Sequence, residues 1–241
     1  MDVVRINLWS GPRNISTALM YSFAQRDDTR IFDEPLYAHY LTHTDARNYH
    51  PGANAVIAAQ DNDGSRVVCE ILRGEHGKKV LFFKQMTHHL VELDWRFMRD
   101  MVNVILTRDP REMLPSYAQQ VATPTLRDLG YAQHLELLEY LRTLGQEPPV
   151  LDARQTLGNP RHILGKLCAR IAIPFDEAML SWTAGPRPED GVWAPYWYHQ
   201  VHRSRGFQPY RPKTEPFPSE LKPLLAESQP YYDQLLELAI T

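Results

Sequence analysis

Cysteine is scarce in this sequence. Its two thiols, Cys69 and Cys168, stand far apart and show no Cys-x-x-Cys spacing, which excludes a disulfide-stapled scaffold and argues against a structural zinc site. Both are read as buried thiols. Long hydrophobic runs are also missing: the longest, Ala55 to Ala59, covers five residues, against the roughly 20 that span a bilayer. Nor does one sign of charge dominate. Lys and Arg number 26 and Asp and Glu 29, a formal net charge of −3, so nothing draws the whole molecule toward nucleic acid or an anionic membrane. Any anion site must be local. The opening Met-Asp-Val-Val-Arg enters a strand-like segment without the charged head and apolar body of a signal peptide. These absences predict a soluble, cytoplasmic chain with no integral membrane segment and no nucleic-acid partner; they do not fix an oligomeric state. Repeats, low-complexity tracts and linkers are lacking too, so residues 1–241 are expected to form a single domain of a length that can build a sizeable core.

What the sequence does hold is alternation. Apolar, β-branched stretches recur at Val3 to Trp9, Arg30 to Phe32, Lys79 to Phe83, Val102 to Thr107 and Pro149 to Leu151, with helix-like segments between them. That pattern predicts an α/β fold: a three-layer α/β/α arrangement around a mainly parallel sheet. In such sheets ligands sit beyond the carboxyl ends of the strands, so the residues following each stretch are the ones to inspect. Proline, 19 residues in all, clusters between Pro174 and Pro230 and predicts an irregular tail. Tyr231 to Ile240 is expected to close the chain as a short amphipathic helix.

The first stretch runs into Ser10-Gly11-Pro12-Arg13-Asn14-Ile15-Ser16-Thr17, then places Ile15, Leu19 and Phe23 on one helical face. A strand, a tight turn and a helix start aim free N–H groups and the positive end of the helix dipole at one point, where Arg13, Ser16 and Thr17 add donors. A phosphate or sulfate suits that point; the plainer reading makes Asn14 an N-cap and Arg13 a solvated side chain. The usual nucleotide loop, G-x-x-x-x-G-K-[ST], is absent. The fourth stretch runs into Arg108-Asp109-Pro110-Arg111-Glu112, where Asp109 can cap, Pro110 can take the first helical position and Glu112 can complete a capping box. Arg108 and Ser116, two helical turns apart, can bracket a second anion.

Together these segments resemble the sulfotransferases that use 3′-phosphoadenosine 5′-phosphosulfate (PAPS). The first loop of that family reads Lys or Arg, Ser, Gly, Thr, Thr; aligned on Arg13, this sequence has Asn14, Ile15, Ser16 and Thr17. Arg108 and Ser116 fall on the family's 3′-phosphate pair. The stretch from Leu151-Asp152-Ala153 through Asn159-Pro160 to Ile173-Pro174-Phe175 resembles a third family segment, so the likeness covers about residues 3 to 180. The resemblance implies a P-loop NTPase-like fold, transfer of a sulfuryl group from PAPS to a hydroxyl of a small-molecule acceptor, and no metal. It assigns the donor to Arg13, Asn14, Ile15, Ser16, Thr17, Arg108 and Ser116. Ile15 takes the place of the loop glycine, and Pro115 removes a helical hydrogen bond and should bend the helix before Ser116.

Catalysis then needs a cation and a base. Arg13 is the expected cation. Glu34, in Asp33-Glu34-Pro35 after the second strand, matches a glutamate base found in some family members, while His88, in Lys84-Gln85-Met86-Thr87-His88-His89, resembles the histidine base of others. Capping by Glu34 and packing of both histidines are the structural alternatives, and Lys84 is placed to touch sulfate or acceptor. The stretch Gly191 to Thr214 has no acidic residue and carries Arg203, Arg205, Arg211 and Lys213 with His199 and His202; it is expected to fold over an anion or to lie as a solvated flank. Trp193, Tyr196, Trp197 and Tyr198 could stack on adenine, line an acceptor pocket or fill the core. Two rival readings are a nucleotide-dependent kinase of related fold, with Asp109 binding magnesium, and a catalytically silent nucleotide-binding protein.

Overall fold

The computed structural model describes residues 3–212 and 214–241. Lys213, one member of the basic stretch, lies outside them. Five strands, β1 (Val4–Ser10), β2 (Thr29–Asp33), β3 (Val80–Met86), β4 (Val102–Thr107) and β5 (Val150–Asp152), form one sheet in the order β2-β3-β1-β4-β5. Every pairing is parallel. Strands buried on both faces can read as continuous apolar runs, which is why five short stretches were legible as strands.

Alternation along each strand divides the core. Ile6 and Leu8 of β1, Phe82 of β3 and Val104 and Leu106 of β4 face the helices Ser16–Phe23 and Pro160–Arg170. Trp9, Leu81 and Phe83 point the other way, where Leu137 and Leu141 of the helix Tyr131–Thr143 cover them. Helices on both faces make the three layers expected. At the β5 edge the Ile240 amide donates to the Val150 carbonyl at 2.9 Å, so the chain's end pairs with the otherwise open edge.

The closing helix differs from expectation. It spans Lys222–Glu237 and contains Pro230, so it starts nine residues before Tyr231 and overrides the proline signal. Leu225, Tyr232 and Leu235 are buried against the body, and that burial offsets the hydrogen bond Pro230 cannot make. Pro115 is likewise held inside the helix Pro110–Tyr117. One cysteine departs as well: Cys168 is buried, but Cys69 is exposed, because its segment Val67–Leu72 turns only Val67 and Leu72 fully inward. Among the described residues no helix is long and apolar enough to cross a membrane.

Candidate active site

β1 and β4 are neighbours, and the loops at their carboxyl ends meet. Gly11 lets the short helix Leu126–Leu129 close over the first loop, since a Cβ there would stand 2.5 Å from the Leu129 carbonyl oxygen. The chain then turns at Arg13, whose φ of 51° is a left-handed conformation that side-chain-bearing residues seldom adopt. Arg108 Nη1 donates to the Arg13 carbonyl at 2.9 Å, and Arg13 Nε donates to Ser116 Oγ at 2.9 Å. Three sequence-predicted residues thus gather at one place. Burial, and then the adjacent Arg108, lower the Arg13 pKa from its usual value.

Asn14 does something other than cap. Its Nδ2 donates to the Leu106 carbonyl at 3.2 Å and its Oδ1 accepts from the Ile15 amide at 2.8 Å, so it ties the loop to β4, while the N-cap position falls to Ile15 without a side-chain bond. Ile15 packs on the core beside Leu19. Ser16 and Thr17 are buried in the first helical turn. At the second loop Asp109 accepts from the Arg111 amide at 2.8 Å and caps as expected. Glu112 lies 3.6 Å from Arg108 Nε and makes no return bond to the cap, so the box stays half built.

The second cluster follows β2. Register pairs Asp33 with Lys84 across β2 and β3, and the chain turns at Glu34 with φ 42°, the same backbone exception found at Arg13. Lys84 is almost fully buried and donates from Nζ to Asp33 Oδ1 at 2.9 Å, to Glu34 Oε1, and to the Tyr198 hydroxyl at 2.7 Å. Burial raises the Glu34 carboxyl to about 7 against the pull of Lys84. For Lys84 burial works against the charge, but Asp33 and Glu34 prevail and its pKa rises. Lysine is therefore a structural anchor for the carboxylate, with its donors already directed to protein atoms.

His88 and His89 sit in a short turn, Thr87–His89, directly after β3. His89 Nε2 comes to 4.0 Å from Glu34 Oε2, which accepts no hydrogen bond from the described residues. Burial pushes both histidines well below their usual pKa. Around them lies a cavity of about 70 Å³, lined by Glu34, Lys84, Tyr37, His50, His88 and Trp193 among others.

A larger cleft of about 470 Å³ opens on the other side of the first loop, with Arg108, Glu112, Ser116 and Gln119 on its wall. Arg13, Asn14, Thr17, Trp197 and Tyr198 line both spaces. Trp197 and Tyr198 belong to a strap that Asp33 holds: Asp33 accepts from the Gly191 amide at 3.0 Å and from the Tyr198 hydroxyl at 2.8 Å. The Trp197 carbonyl accepts from Arg13 Nη1 at 3.1 Å.

The basic stretch is not drawn into the cleft as a group. Its wall there is Gln200, Val201, Ser204, Gly206 and Gln208, whereas Arg203, Arg205 and Arg211 are exposed and His202 pairs with Asp190 at 2.9 Å. Of the aromatics, Trp193 and Tyr198 are buried and Trp197 half-buried on the cavity wall, but Tyr196 faces outward at 41% exposure. Tyr37, His50 and Tyr117 also line the cavity. No motif marks them; their only sequence signal is position after β2 and in the helices that close the strand tips.

A sulfotransferase domain model matches residues 4–239. Two Arabidopsis thaliana proteins, branched-chain-amino-acid aminotransferase-like proteins 2 and 1, are 37% and 39% identical over 231 residues, 95% of this chain. The chain spans 41% of the length of each. In fold it is similar to the sulfotransferase domain of the Synechococcus PCC 7002 olefin synthase, with a TM-score of 0.59 and 15% identity over 96% of both chains. The sulfotransferase from Alicyclobacillus acidocaldarius gives a TM-score of 0.52 at 13% identity, covering 99% of this chain and 98% of that one. With the family model spanning nearly the whole sheet and both loops, the chain belongs to the sulfotransferase domain family.

Proposed function

We propose that the protein transfers a sulfuryl group from PAPS to a hydroxyl of a small-molecule acceptor, with Glu34 as base. One observation carries this reading: the cavity that holds Glu34 and the cleft that holds Arg108 share the loop residues Arg13, Asn14 and Thr17. A group bound along that loop is reachable from both sides.

The residues fit a donor with two anionic ends. Arg108 Nε makes no hydrogen bond among the described residues and has only the Glu112 carboxylate 3.6 Å away, so a buried guanidinium donor remains for an acceptor such as a phosphate oxygen. Arg108 and Ser116 would hold the 3′-phosphate. Arg13, Ser16, Thr17 and the free N–H groups at the start of the Ser16–Phe23 helix would hold the phosphosulfate. When bound, PAPS supplies the sulfuryl group, whose bond to the 5′-phosphate breaks as the bond to the acceptor oxygen forms.

Glu34 Oε2 takes the acceptor's hydroxyl proton while Lys84 keeps Oε1 in place. A pKa near 7 suits a base working near neutrality. Arg13 and the helix N–H groups face the charge that develops on the donor side, with no reorganisation at the moment of reaction. Calorimetry with adenosine 3′,5′-bisphosphate (PAP), ADP and ATP plus Mg²⁺ tests the donor. PAP binding tightest is the expected result; ATP with Mg²⁺ binding tighter than PAP would favour the kinase reading.

A further inference from the structure

The strap that carries Trp197 and Tyr198 is fastened at a second place, away from the cavity. Asp190 stands at its start and His202 at its end, with eleven residues between them. One carboxylate closes that loop: His202 Nε2 donates to Asp190 Oδ2 at 2.9 Å, and the Arg187 amide donates to the same oxygen at 2.9 Å. The Tyr21 hydroxyl donates across both oxygens, 2.8 Å from Oδ1 and 2.7 Å from Oδ2. Burial, and then Asp190, raise the Tyr21 pKa, so this hydroxyl keeps the proton it donates. The Arg187 guanidinium lies over the Tyr21 ring, 4.7 Å from its centroid.

This clasp differs from a surface ion pair. Exposed pairs contribute little, whereas the Asp190 side chain is 5% exposed and Tyr21 is fully buried. A carboxylate withdrawn from water is costly unless donors surround it, and here they come from three places: the helix Ser16–Phe23, the turn before Asp190 and the end of the strap. Tyr21 belongs to the helix whose first turn holds Ser16 and Thr17, so the clasp ties the strap to the element that follows the first loop.

What the clasp holds in place is the pair Trp197 and Tyr198. The Trp197 carbonyl accepts from Arg13 Nη1, and the Tyr198 hydroxyl donates to Asp33 and accepts from Lys84, so adjacent strap residues touch the charged groups of both loops. Tyr21, Asp190 and His202 line neither the cavity nor the cleft, which makes their hold on the strap independent of the reacting groups. We propose that Asp190 is a positioning residue: by clasping Tyr21 and His202 it keeps the strap closed, and so keeps Tyr198 on Asp33 and Lys84 and Trp197 on Arg13. This rests on the reading of the cavity as the place where Glu34 acts.

Facing Glu34 are Asp33 of β2, Lys84 of β3, His89 of the turn after β3, Tyr37 of the helix Tyr37–His43 and Tyr198 of the strap. Burial is the largest influence on the Glu34 carboxyl and raises it. A strap released from Asp190 admits water and weakens that influence, so the carboxyl falls back toward the ordinary range.

Hydrogen–deuterium exchange on the free protein compares Asp190→Ala, Asp190→Asn and His202→Ala with wild type. A charge-assisted bond is worth about tenfold or more in an equilibrium, so Asp190→Ala should exchange about tenfold faster or more within residues 191–202, with β1 and β3 unchanged. His202→Ala should accelerate the same segment, and Asp190→Asn, a neutral acceptor of the same shape, should fall between wild type and Asp190→Ala. With labelled PAPS, the rise of kcat/KM with pH, set by the Glu34 carboxyl at about 7, should move to lower pH in Asp190→Ala; a loss of folded protein alone does not move it. Unchanged exchange across residues 191–202, exchange that rises equally in β1 and β3, or a pH profile that stays in place while the strap opens would overturn the proposal. Should Asp190→Ala fail to fold, His202→Ala decides by the same two measurements, its side chain being 23% exposed. A wild-type protein that transfers nothing from PAPS would overturn the reaction assigned to the cavity instead, and the exchange pattern, read without nucleotide, would still decide the clasp.

Discussion

Replacing Glu34 by Gln isolates the ionisable oxygen while keeping the side chain's volume. Lys84 retains its bond to Asp33 at 2.9 Å and to the Tyr198 hydroxyl at 2.7 Å, so the variant should fold. With the Glu34 pKa raised to about 7, about 9% of the wild-type protein carries an ionised base at pH 6 and about 91% at pH 8. The base works deprotonated, so kcat/KM should climb about tenfold across that interval and level off above it. Burial keeps His88 well below its usual pKa, so His88 does not generate that limb. Loss of general-base catalysis costs about 10² to 10⁴ in rate, or about 3–5 kcal/mol in the barrier. The assay is transfer from labelled PAPS across pH 5.5 to 9, about 1.5 units below the limb and about 2 above it, with PAP affinity measured in parallel. Glu34→Gln should fall by that factor, lose the limb, and bind PAP as before. A variant within tenfold of wild type would refute Glu34 as the base and move the role to His88, and one that keeps a limb near the same pH would refute it and move the role to the substrate.

Arg108→Ala should weaken PAP about ten- to a hundredfold in calorimetry and leave ADP nearly unaffected, because a charge-assisted bond is worth about 1.5–3 kcal/mol and only PAP carries the 3′-phosphate; equal losses would refute the assignment. EDTA should not change turnover if, as proposed, Arg13 and helix N–H groups supply the positive charge, and activity restored only by added Mg²⁺ would count against this. Lys84→Met should lower stability by about 3–5 kcal/mol in urea denaturation, as it strips the shared cation from two buried carboxyl groups, and a loss below about 1 kcal/mol would contradict that picture. Acid should weaken the fold through His50: its folded pKa of about 4 lies below the unfolded value near 6.5, so the unfolded chain binds the proton first and stability falls as pH drops from about 6.5 to 4, by up to about 3 kcal/mol. His50→Phe should flatten that decline.

Strands were easy to locate because each is an apolar run bounded by polar turns, and all five stretches became strands of one parallel sheet. The two loops that carry Arg13 and Arg108 were legible for a related reason: they follow β1 and β4, so chain direction alone puts them at one edge of the sheet. The closing helix was harder to place, since Pro230 signals a break and only packing of Leu225, Tyr232 and Leu235 outweighs it. The cavity was the least visible. His50 lies in a polar stretch between helices, and its approach to Tyr37 depends on how the chain turns back after β2. Lys84 looked free to touch a ligand in the sequence, but β-pairing with Asp33 commits it to a carboxylate. Long-range register carries that information, and no local pattern does.

Asp33, Glu34 and Lys84 form an odd-numbered set: two carboxyl groups share a single ammonium in a place water scarcely reaches. One proton delivered to this trio makes it electrically neutral. Withdrawing a hydroxyl's proton would therefore remove the trio's excess negative charge and pass it to the acceptor oxygen. The same balance makes the return step the harder half, because giving the proton up restores the imbalance. Discharge is easiest when the cavity is open to water, so turnover would couple resetting of the base to departure of the product, and a strap held too firmly over Trp197 and Tyr198 would slow the enzyme after the chemistry is complete.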